Sequence, residues 1–280
     1  MRFWLALTTS LLAVPLVQAA ERTTSERSAS HREPKVIPSP ITDRLAVRGS
    51  YYTPTISTIM RVDSDDEELG TVFSGEDDVG LDDKLNQGRL EVIMRVKNRG
   101  RVRFDYFKAD RFGDVILQKD ILFRNEGFEA GERAITSLDW RMTAATFSYS
   151  LIRTDRFEVG VGLGMIAFEA EATEEVPTQE RRDEASGTGI VPTAALDGTW
   201  RISSKWALTA RGNYLSASSD RFEGSIEDYH ADVQYRWKPN FAIGLGYSQF
   251  TADLELDDSD FTGFFNFEVK GPEIFFRASF

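Results

Sequence analysis

Cysteine is absent from this 280-residue chain, and histidine occurs only twice. Without cysteine the protein has no disulfide bonds and no thiolate sites, which suits passage through an oxidising compartment. The mean hydropathy is -0.33, and no apolar run long enough for a membrane-spanning helix follows the N-terminal residues. The formal net charge of -12 argues against nucleic acid as a partner, because binding nucleic acid requires a cationic face.

Alternation of apolar and polar residues is the main pattern in the rest of the chain. A strand with this period has one apolar face and one polar face. Ten segments carry the pattern: residues 45–52, 89–96, 101–106, 146–151, 157–165, 193–202, 206–214, 229–237, 241–248 and a final segment that ends at Phe280. The low mean hydropathy does not exclude a membrane, because the strands of membrane barrels alternate in this way.

The connections between these segments differ in length. Four are short turns, at residues 97–100, 154–156, 203–205 and 238–240. The others are longer and mostly polar or acidic, an asymmetry that is typical of bacterial outer-membrane barrels. We therefore predict an all-β fold, a transmembrane antiparallel up-and-down β-barrel of about ten strands with both termini in the periplasm.

Two stretches leave the strand number open. Residues 62–88 form a long acidic loop, and residues 109–135 are interpreted as two strands that continue above the membrane into a long hairpin loop. Because both can be divided in other ways, eight or twelve strands are the alternatives. Four aromatic residues flank the short turns, namely Trp200, Trp206, Trp237 and Phe241, and this placement predicts an aromatic girdle at the periplasmic interface.

The last eleven residues carry the most specific motif. Apolar residues recur at every second position back from Phe280, with polar residues between most of them. The pattern resembles the C-terminal assembly signal of bacterial outer-membrane β-barrels, whose positions are filled here by Lys270, Gly271, Ile274, Phe276 and Phe280. The resemblance implies an outer-membrane location, with lipid, lipopolysaccharide, periplasmic chaperones and the barrel assembly machinery as partners. Because proline removes a backbone donor, we expect a bulge or kink at Gly271–Pro272.

The N-terminal residues are predicted to direct export. Arg2 precedes an apolar run from Phe3 to Val17, and small residues follow, so residues 1–19 are interpreted as a secretory signal peptide cleaved after Ala19. Residues 20–43 contain three prolines and show no period, which predicts a flexible periplasmic segment. The barrel domain then covers residues 44–280.

Charged residues follow the polar faces of the predicted strands. The set that faces the lumen by parity is Arg48, Arg89, Glu91, Arg95, Arg101, Arg103, Asp105, Glu158, Asp197, Arg201, Arg211, His230, Asp232, Arg236, Glu273 and Arg277. Ten strands enclose a narrow lumen, in which buried charges are tolerated when they are paired. We therefore favour a plugged barrel with acidic extracellular loops and a structural or surface role. A narrow ion or small-solute pore is the alternative.

A second alternative is a hydrolase. Asp228 and His230 lie two residues apart on one strand face, where a carboxylate can orient an imidazole as a base. This spacing is similar to that of the omptin proteases, which implies two further aspartates, and Asp77–Asp78 and Asp82–Asp83 are the candidates. Adjacent pairs do not reproduce aspartates at alternate positions on one strand. We therefore interpret His230 as part of the lumen charge network and predict no catalytic residue, with no Ser–His pair recognised.

The acidic loop at residues 62–88 has the residue types of a cation site. Its carboxylates can collect Ca²⁺ or Mg²⁺ near lipopolysaccharide phosphates. Their spacing does not match the calcium-binding loop motif, and runs of charge are usually solvated. We therefore predict no metal site and no cofactor.

Overall fold

The computed structural model describes residues 37–63, 69–123, 126–176, 181–219, 222–258 and 261–280. These residues form strands and their connections, and among them no helix is long and apolar enough to cross a membrane. The strands are β1 (Leu45–Tyr52), β2 (Thr55–Val62), β3 (Phe73–Ser74), β4 (Gln87–Val96), β5 (Gly100–Ile116), β6 (Ile121–Phe123), β7 (Glu126–Phe128), β8 (Arg133–Arg153), β9 (Phe157–Val176), β10 (Arg181–Arg201), β11 (Trp206–Ser219), β12 (Phe222–Lys238), β13 (Phe241–Asp258) and β14 (Phe261–Ser279).

The large sheet closes into an antiparallel barrel. Its order runs β1, β4, β5, β8 and then β9 to β14, and β14 pairs back onto β1. The first barrel strand consists of β1 and β2 in succession, because β1 pairs with the last part of β14 and β2 with its first part. Counted in this way the barrel has ten strands, which confirms the predicted all-β barrel and its predicted strand number.

The last residue of the chain takes part in closing the barrel. The amide of Phe280 donates a hydrogen bond of 2.7 Å to the carbonyl oxygen of Leu45. The carbonyl oxygen of Phe280 in turn accepts hydrogen bonds of 3.0 Å from the amides of Arg44 and Leu45. The backbone hydrogen bonding between the two ends of the sheet therefore continues as far as Phe280.

The outer face of the barrel is apolar. Leu163, Leu196 and Leu245 are 74%, 58% and 61% exposed, and similar side chains project from the other barrel strands. Contiguous exposed apolar surface of this extent marks a membrane or protein interface. Three tryptophans, Trp200, Trp206 and Trp237, project from the same face beside the short turns.

The predicted bulge at Gly271–Pro272 is wrong. These residues stay in register with Ser248 and Tyr247 of β13, and the irregularity lies in the neighbouring strand, where residues 53 and 54 separate β1 from β2. The carbonyl oxygen of Pro272 accepts a hydrogen bond from the amide of Thr53 at 3.1 Å. A Cβ atom at Gly271 would lie only 2.6 Å from the carbonyl oxygen of Thr53, so glycine permits this close approach.

The long connections fold over the end of the barrel opposite the short turns. We define the cap as residues 73–86 together with β6 and β7. The cap fills the gap between β2 and β5: Gly75 donates to the carbonyl oxygen of Thr58, and Asp82 donates to that of Phe112. Buried apolar side chains of the cap and of the neighbouring chain form one cluster. Its members are Phe73, Val79, Leu81, Leu117, Ile121, Phe128, Ala134 and Leu138.

Carboxylates of the acidic loop hold the cap in place. The guanidinium of Arg111 donates to Glu76, to the hydroxyl of Thr58 and to the carbonyl oxygen of Asp82. The ammonium of Lys119 lies 2.8 Å from Asp78. Partial burial raises the pKa of Asp78, but hydrogen bonds from Lys119 and the Ser74 amide outweigh it and hold that pKa below its usual value.

Strands β8 and β10 are longer than a membrane requires. Each has 21 residues, about twice the 9–11 residues of a typical transmembrane strand. Strands β5 and β8 also extend toward the β6–β7 hairpin, as the sequence indicates for residues 109–135. The barrel therefore continues well beyond its apolar belt at the loop end.

Deletion of Phe280 tests the seam between β14 and β1. We expect the deletion to destabilise the barrel by about 1–3 kcal/mol, because backbone hydrogen bonds worth about 1 kcal/mol each are lost. The measurement is the urea midpoint of protein refolded in lipid vesicles, followed by heat-modifiable migration. Phe280→Leu keeps the backbone bonds and serves as the control; equal midpoints for the deletion and for this control would contradict the prediction.

Candidate functional site

The lumen contains two layers of side chains. A charged layer lies toward the short turns, and an apolar layer lies toward the cap. The sixteen charged or titratable side chains that the sequence puts on the inner strand faces all lie in the charged layer, and each is at most 9% exposed, counting the side chain alone for Arg95. Charges buried to this degree must be compensated by nearby opposite charges or hydrogen bonds.

Arg48 joins carboxylates from three other strands. Its Nη1 atom lies 2.8 Å from Asp232 and 3.8 Å from Glu91, and its Nη2 atom donates to Glu273. The guanidinium also stacks over the ring of Phe275, with its carbon 3.5 Å from the ring centroid. The planar guanidinium can serve several acceptors at once, which a lysine cannot do with the same geometry.

Asp105 is shared by two arginines. Arg89 binds it through two hydrogen bonds, of 2.8 Å from Nε and 2.7 Å from Nη2. Arg211 reaches the same carboxylate at 2.9 Å and also contacts Glu91 at 3.1 Å. Arg211 lies on β11 and the two acids on β5 and β4, so these pairs cross the lumen.

Glu158 is a second carboxylate shared by two arginines, and it lies nearer the short turns. Arg95 binds it through two hydrogen bonds of 2.8 Å, and Arg101 contacts it at 2.5 Å. The hydroxyl of Ser150 also donates to Glu158, which is only 1% exposed. Arg101 further contacts Asp197 at 2.9 Å, and this bond extends the network to β10.

Asp43 closes the turn end of the lumen. Its carboxylate lies 2.6 Å from Arg236 and 3.1 Å from Arg277. Ile41 is 1% exposed in the preceding turn, and its carbonyl oxygen accepts a hydrogen bond from Arg153. Ion pairs and apolar burial therefore hold residues 41 and 43 of the predicted flexible segment against the barrel, and residues 20–36 lie outside the described residues. Arg201, also at this end, donates to the carbonyl oxygen of Asp155.

Arg103 is a buried arginine whose hydrogen-bond partners are neutral side chains. It donates to the hydroxyl of Thr146 at 3.3 Å and to the side-chain oxygen of Asn213 at 3.4 Å. The amide nitrogen of Asn213 donates to Asp228 at 2.8 Å, so the amide connects a cation to an anion. Among the described residues no carboxylate lies within ion-pair distance of Arg103.

His230 has partners that the sequence interpretation missed. Its Nδ1 atom lies 3.0 Å from the hydroxyl oxygen of Ser248, and its Nε2 atom lies 3.0 Å from Asp232. Glu273 approaches Nδ1 at 3.3 Å. The direct cross-strand register of β12 and β13 pairs residues 230 and 248, and counting back from the turn at 238–240 would have revealed it. Asp228 instead binds Asn213.

The apolar layer covers the charged layer from the cap side. The ring of Trp140 lies at its centre, with centroids 4.8 Å from Phe267 and 5.5 Å from Phe168. The other buried members are Tyr52, Ile56, Leu85, Phe107, Ala109, Met142, Ala144, Ile166, Ile226, Phe250, Ala252 and Val269. A cavity of about 20 Å³ remains where the two layers meet, enough for one water molecule.

Three other groups of residues singled out in the sequence are the possible metal ligands, the acidic pairs of the cap and the assembly signal. Within the described ranges, no group of three or more His, Cys, Asp or Glu side chains is arranged to hold a metal ion. Asp82 and Asp83 are exposed in the cap, and Asp77 is exposed beside Asp78. Of the predicted assembly signal, the three apolar side chains at positions 274, 276 and 280 project outward, and Lys270 pairs with Glu268 at 2.7 Å. Their recognition by assembly machinery stays a prediction.

Comparison with known proteins resolves the fold. No family model and no curated protein sequence matches the chain. The solved structure of the outer-membrane protease OmpT from Escherichia coli is similar over 85% of this chain and 97% of its own, with a TM-score of 0.50 and 14% identity. The chain has the bacterial outer-membrane β-barrel fold. At this identity the similarity concerns the fold alone.

Two further solved structures are similar at lower TM-scores. The translocator domain of the autotransporter NalP from Neisseria meningitidis has a TM-score of 0.42 at 10% identity, covering 84% of this chain and 88% of its own. The attachment invasion locus protein Ail of Yersinia pestis has a TM-score of 0.30 at 13% identity, covering 84% and 99%.

Replacement of Glu158 tests the charged layer. Glu158→Gln should destabilise the barrel by about 3–5 kcal/mol, because the buried guanidinium of Arg95 loses its carboxylate partner and that of Arg101 keeps only Asp197. Glu169→Gln is the matched control: it removes an exposed carboxylate 3.7 Å from Arg141 and should cost less than about 1 kcal/mol. Urea unfolding in vesicles measures both variants, and equal effects would contradict the buried network.

Proposed function

We propose that this protein is a closed outer-membrane barrel with a structural and surface role, which presents an acidic cap outside the cell. The observation that carries the proposal is the filling of the lumen by two successive layers of side chains. A barrel of ten strands is narrow enough for side chains to fill it, whereas wide barrels leave a channel.

The two layers oppose ions in different ways. In the charged layer, an ion would have to break pairs that cross the lumen, such as Arg48–Asp232 and Arg211–Glu91. In the apolar layer, the packed rings of Trp140 and Phe267 exclude water, and a dry constriction blocks ions without any charge. The arrangement therefore favours a plug over a selective pore.

The surface at the loop end favours a presenting role. The cap is packed on its own apolar cluster, and exposed carboxylates project from it, including Asp77, Asp82 and Asp83. A packed cap offers a defined surface at low entropic cost of ordering. In this proposal the chain is exported by its signal peptide, inserted by the barrel assembly machinery with the help of periplasmic chaperones, and surrounded by lipid and lipopolysaccharide.

Electrical recording tests the closed lumen. Refolded protein in a planar bilayer should give no discrete conductance steps, because both layers block the lumen. Heat-modifiable migration establishes that the protein is folded, and an open porin in the same bilayer establishes that steps are detectable. Discrete steps, with an ion selectivity that changes in Arg103→Glu, would replace this proposal with the narrow pore.

A hydrolase is the second candidate, because OmpT is a protease with this fold. The geometry speaks against it, since His230 is 3% exposed beneath the apolar layer, where a peptide cannot reach it. We expect no peptidase activity that depends on His230. Folded wild-type protein, His230→Gln and the surface control Lys108→Gln are compared on a mixed peptide substrate. Cleavage that is lost in His230→Gln alone would favour the hydrolase.

A further inference from the structure

The two ends of the barrel carry opposite charge. Although the chain has a net charge of -12, the described residues at the turn end expose six cations and one acidic side chain, Asp155. The cations form what we call the basic rim: Arg44, Lys97, Arg99, Arg156, Lys205 and Lys238. Every short turn contains or adjoins at least one of them, so the rim surrounds the barrel end.

The basic rim is not neutralised by the protein itself. Among the described residues, no carboxylate forms an ion pair with any of its six members. Arg99 donates to the backbone oxygens of Ser150 and Leu151, and Lys205 lies 3.4 Å from the hydroxyl of Tyr235. The other acids of this end, Asp43 and Glu158, are buried and bound by inward arginines. The rim therefore presents uncompensated positive charge.

The rim lies at a defined depth relative to the apolar belt. Lys205 directly precedes Trp206, and Lys238 directly follows Trp237, each one strand residue or about 3.3 Å away along the chain. The ring of Trp206 packs against that of Tyr235 in a tilted arrangement, with centroids 5.1 Å apart. Aromatic belts sit at the headgroup level of a bilayer, so the cations lie at the depth of lipid phosphates.

A cleft extends the same charge across the end of the barrel. It has a volume of about 630 Å³ and is open to solvent between the turns at 97–100 and 154–156. Four cationic residues and one acidic residue line it, namely Arg44, Arg95, Lys97, Arg153 and Asp155. Arg95 is committed to Glu158, whereas Arg44 and Lys97 have no carboxylate partner among the described residues. The cleft thus has cationic groups available for an anion.

We propose that the basic rim binds the phosphate groups of anionic phospholipids in the leaflet that the turn end faces, and prefers them to zwitterionic lipids. A cation near a membrane surface gains about 1 kcal/mol from anionic lipid, which corresponds to a fivefold preference. The preference should weaken with salt, because the rim is exposed to solvent. The inference rests on the membrane embedding proposed above.

Fluorescence quenching by brominated lipids tests the preference. Mature protein is refolded in vesicles of phosphatidylcholine that contain increasing fractions of brominated phosphatidylglycerol or, in parallel, of brominated phosphatidylcholine. Trp200, Trp206 and Trp237 lie at the rim, and Trp140 is inside the barrel, so quenching reports the lipids beside the rim. We expect a relative binding constant of about five for phosphatidylglycerol, falling toward one in high salt.

Two charge variants locate the effect. The rim variant carries Lys97→Gln, Arg99→Gln, Lys205→Gln and Lys238→Gln, and its binding constant should fall to about one. The control carries Lys84→Gln, Lys108→Gln, Arg133→Gln and Arg141→Gln, which removes the same charge away from the turns and should keep the wild-type value. Heat-modifiable migration establishes that both variants are folded.

The outcomes separate this inference from the proposed function. Quenching that is equal for the two brominated lipids would overturn the lipid preference and leave the membrane embedding intact. An absence of quenching with either lipid would mean that the belt is not embedded, which would overturn both proposals. A preference that is undiminished in the rim variant would assign it to other groups and overturn the role of the rim.

Discussion

Closure of the backbone hydrogen bonding between β14 and the first barrel strand is the constraint on which the rest of the structure depends. In a hydrocarbon environment each unpaired N–H or C=O group costs several kcal/mol, so a sheet can cross it only without an edge. The closure here is made by two successive strands, β1 and β2, against one long β14. The break between them lies opposite Pro272, which has no amide hydrogen to leave unpaired.

Closure also creates an interior that must be filled. Toward the turns the filling is charged, and carboxylates that bind the guanidinium groups offset the cost of removing them from water, as Glu158 does for Arg95 and Arg101. Toward the cap the inward-facing positions of the barrel strands carry apolar side chains, such as those of Phe107, Phe250 and Phe267. The change of layer coincides with the region where the barrel strands extend beyond the apolar belt. The capped half therefore has the kind of core found in soluble β proteins.

Local periodicity predicts most of this fold but only part of the candidate site. A period of two determines which side chains share a face, so the sequence indicates that Arg48 and Asp232 both point inward. Their 2.8 Å contact cannot be predicted in that way, because it joins residues 184 positions apart and depends on the cross-section of the closed barrel. Asp43 was missed for a similar reason: it lies before the first strand, and only the converging arginines of β12 and β14 give it a place. The pairing of His230 with Ser248 was within reach, since the register from the nearest turn determines it.

Several ion pairs of the lumen join strands that are far apart in the chain, and this has a consequence for assembly. Glu91 and Arg211 lie on β4 and β11, and Arg48 and Asp232 on β1 and β12, so neither pair can form within a single hairpin. Until the last strand meets the first, these side chains keep their hydration, and the inner face of the growing sheet stays wet. That hydrated face opposes the premature collapse and self-association to which open sheets are prone. The charges that finally seal the interior thus act earlier as a solubilising surface on the unfinished barrel.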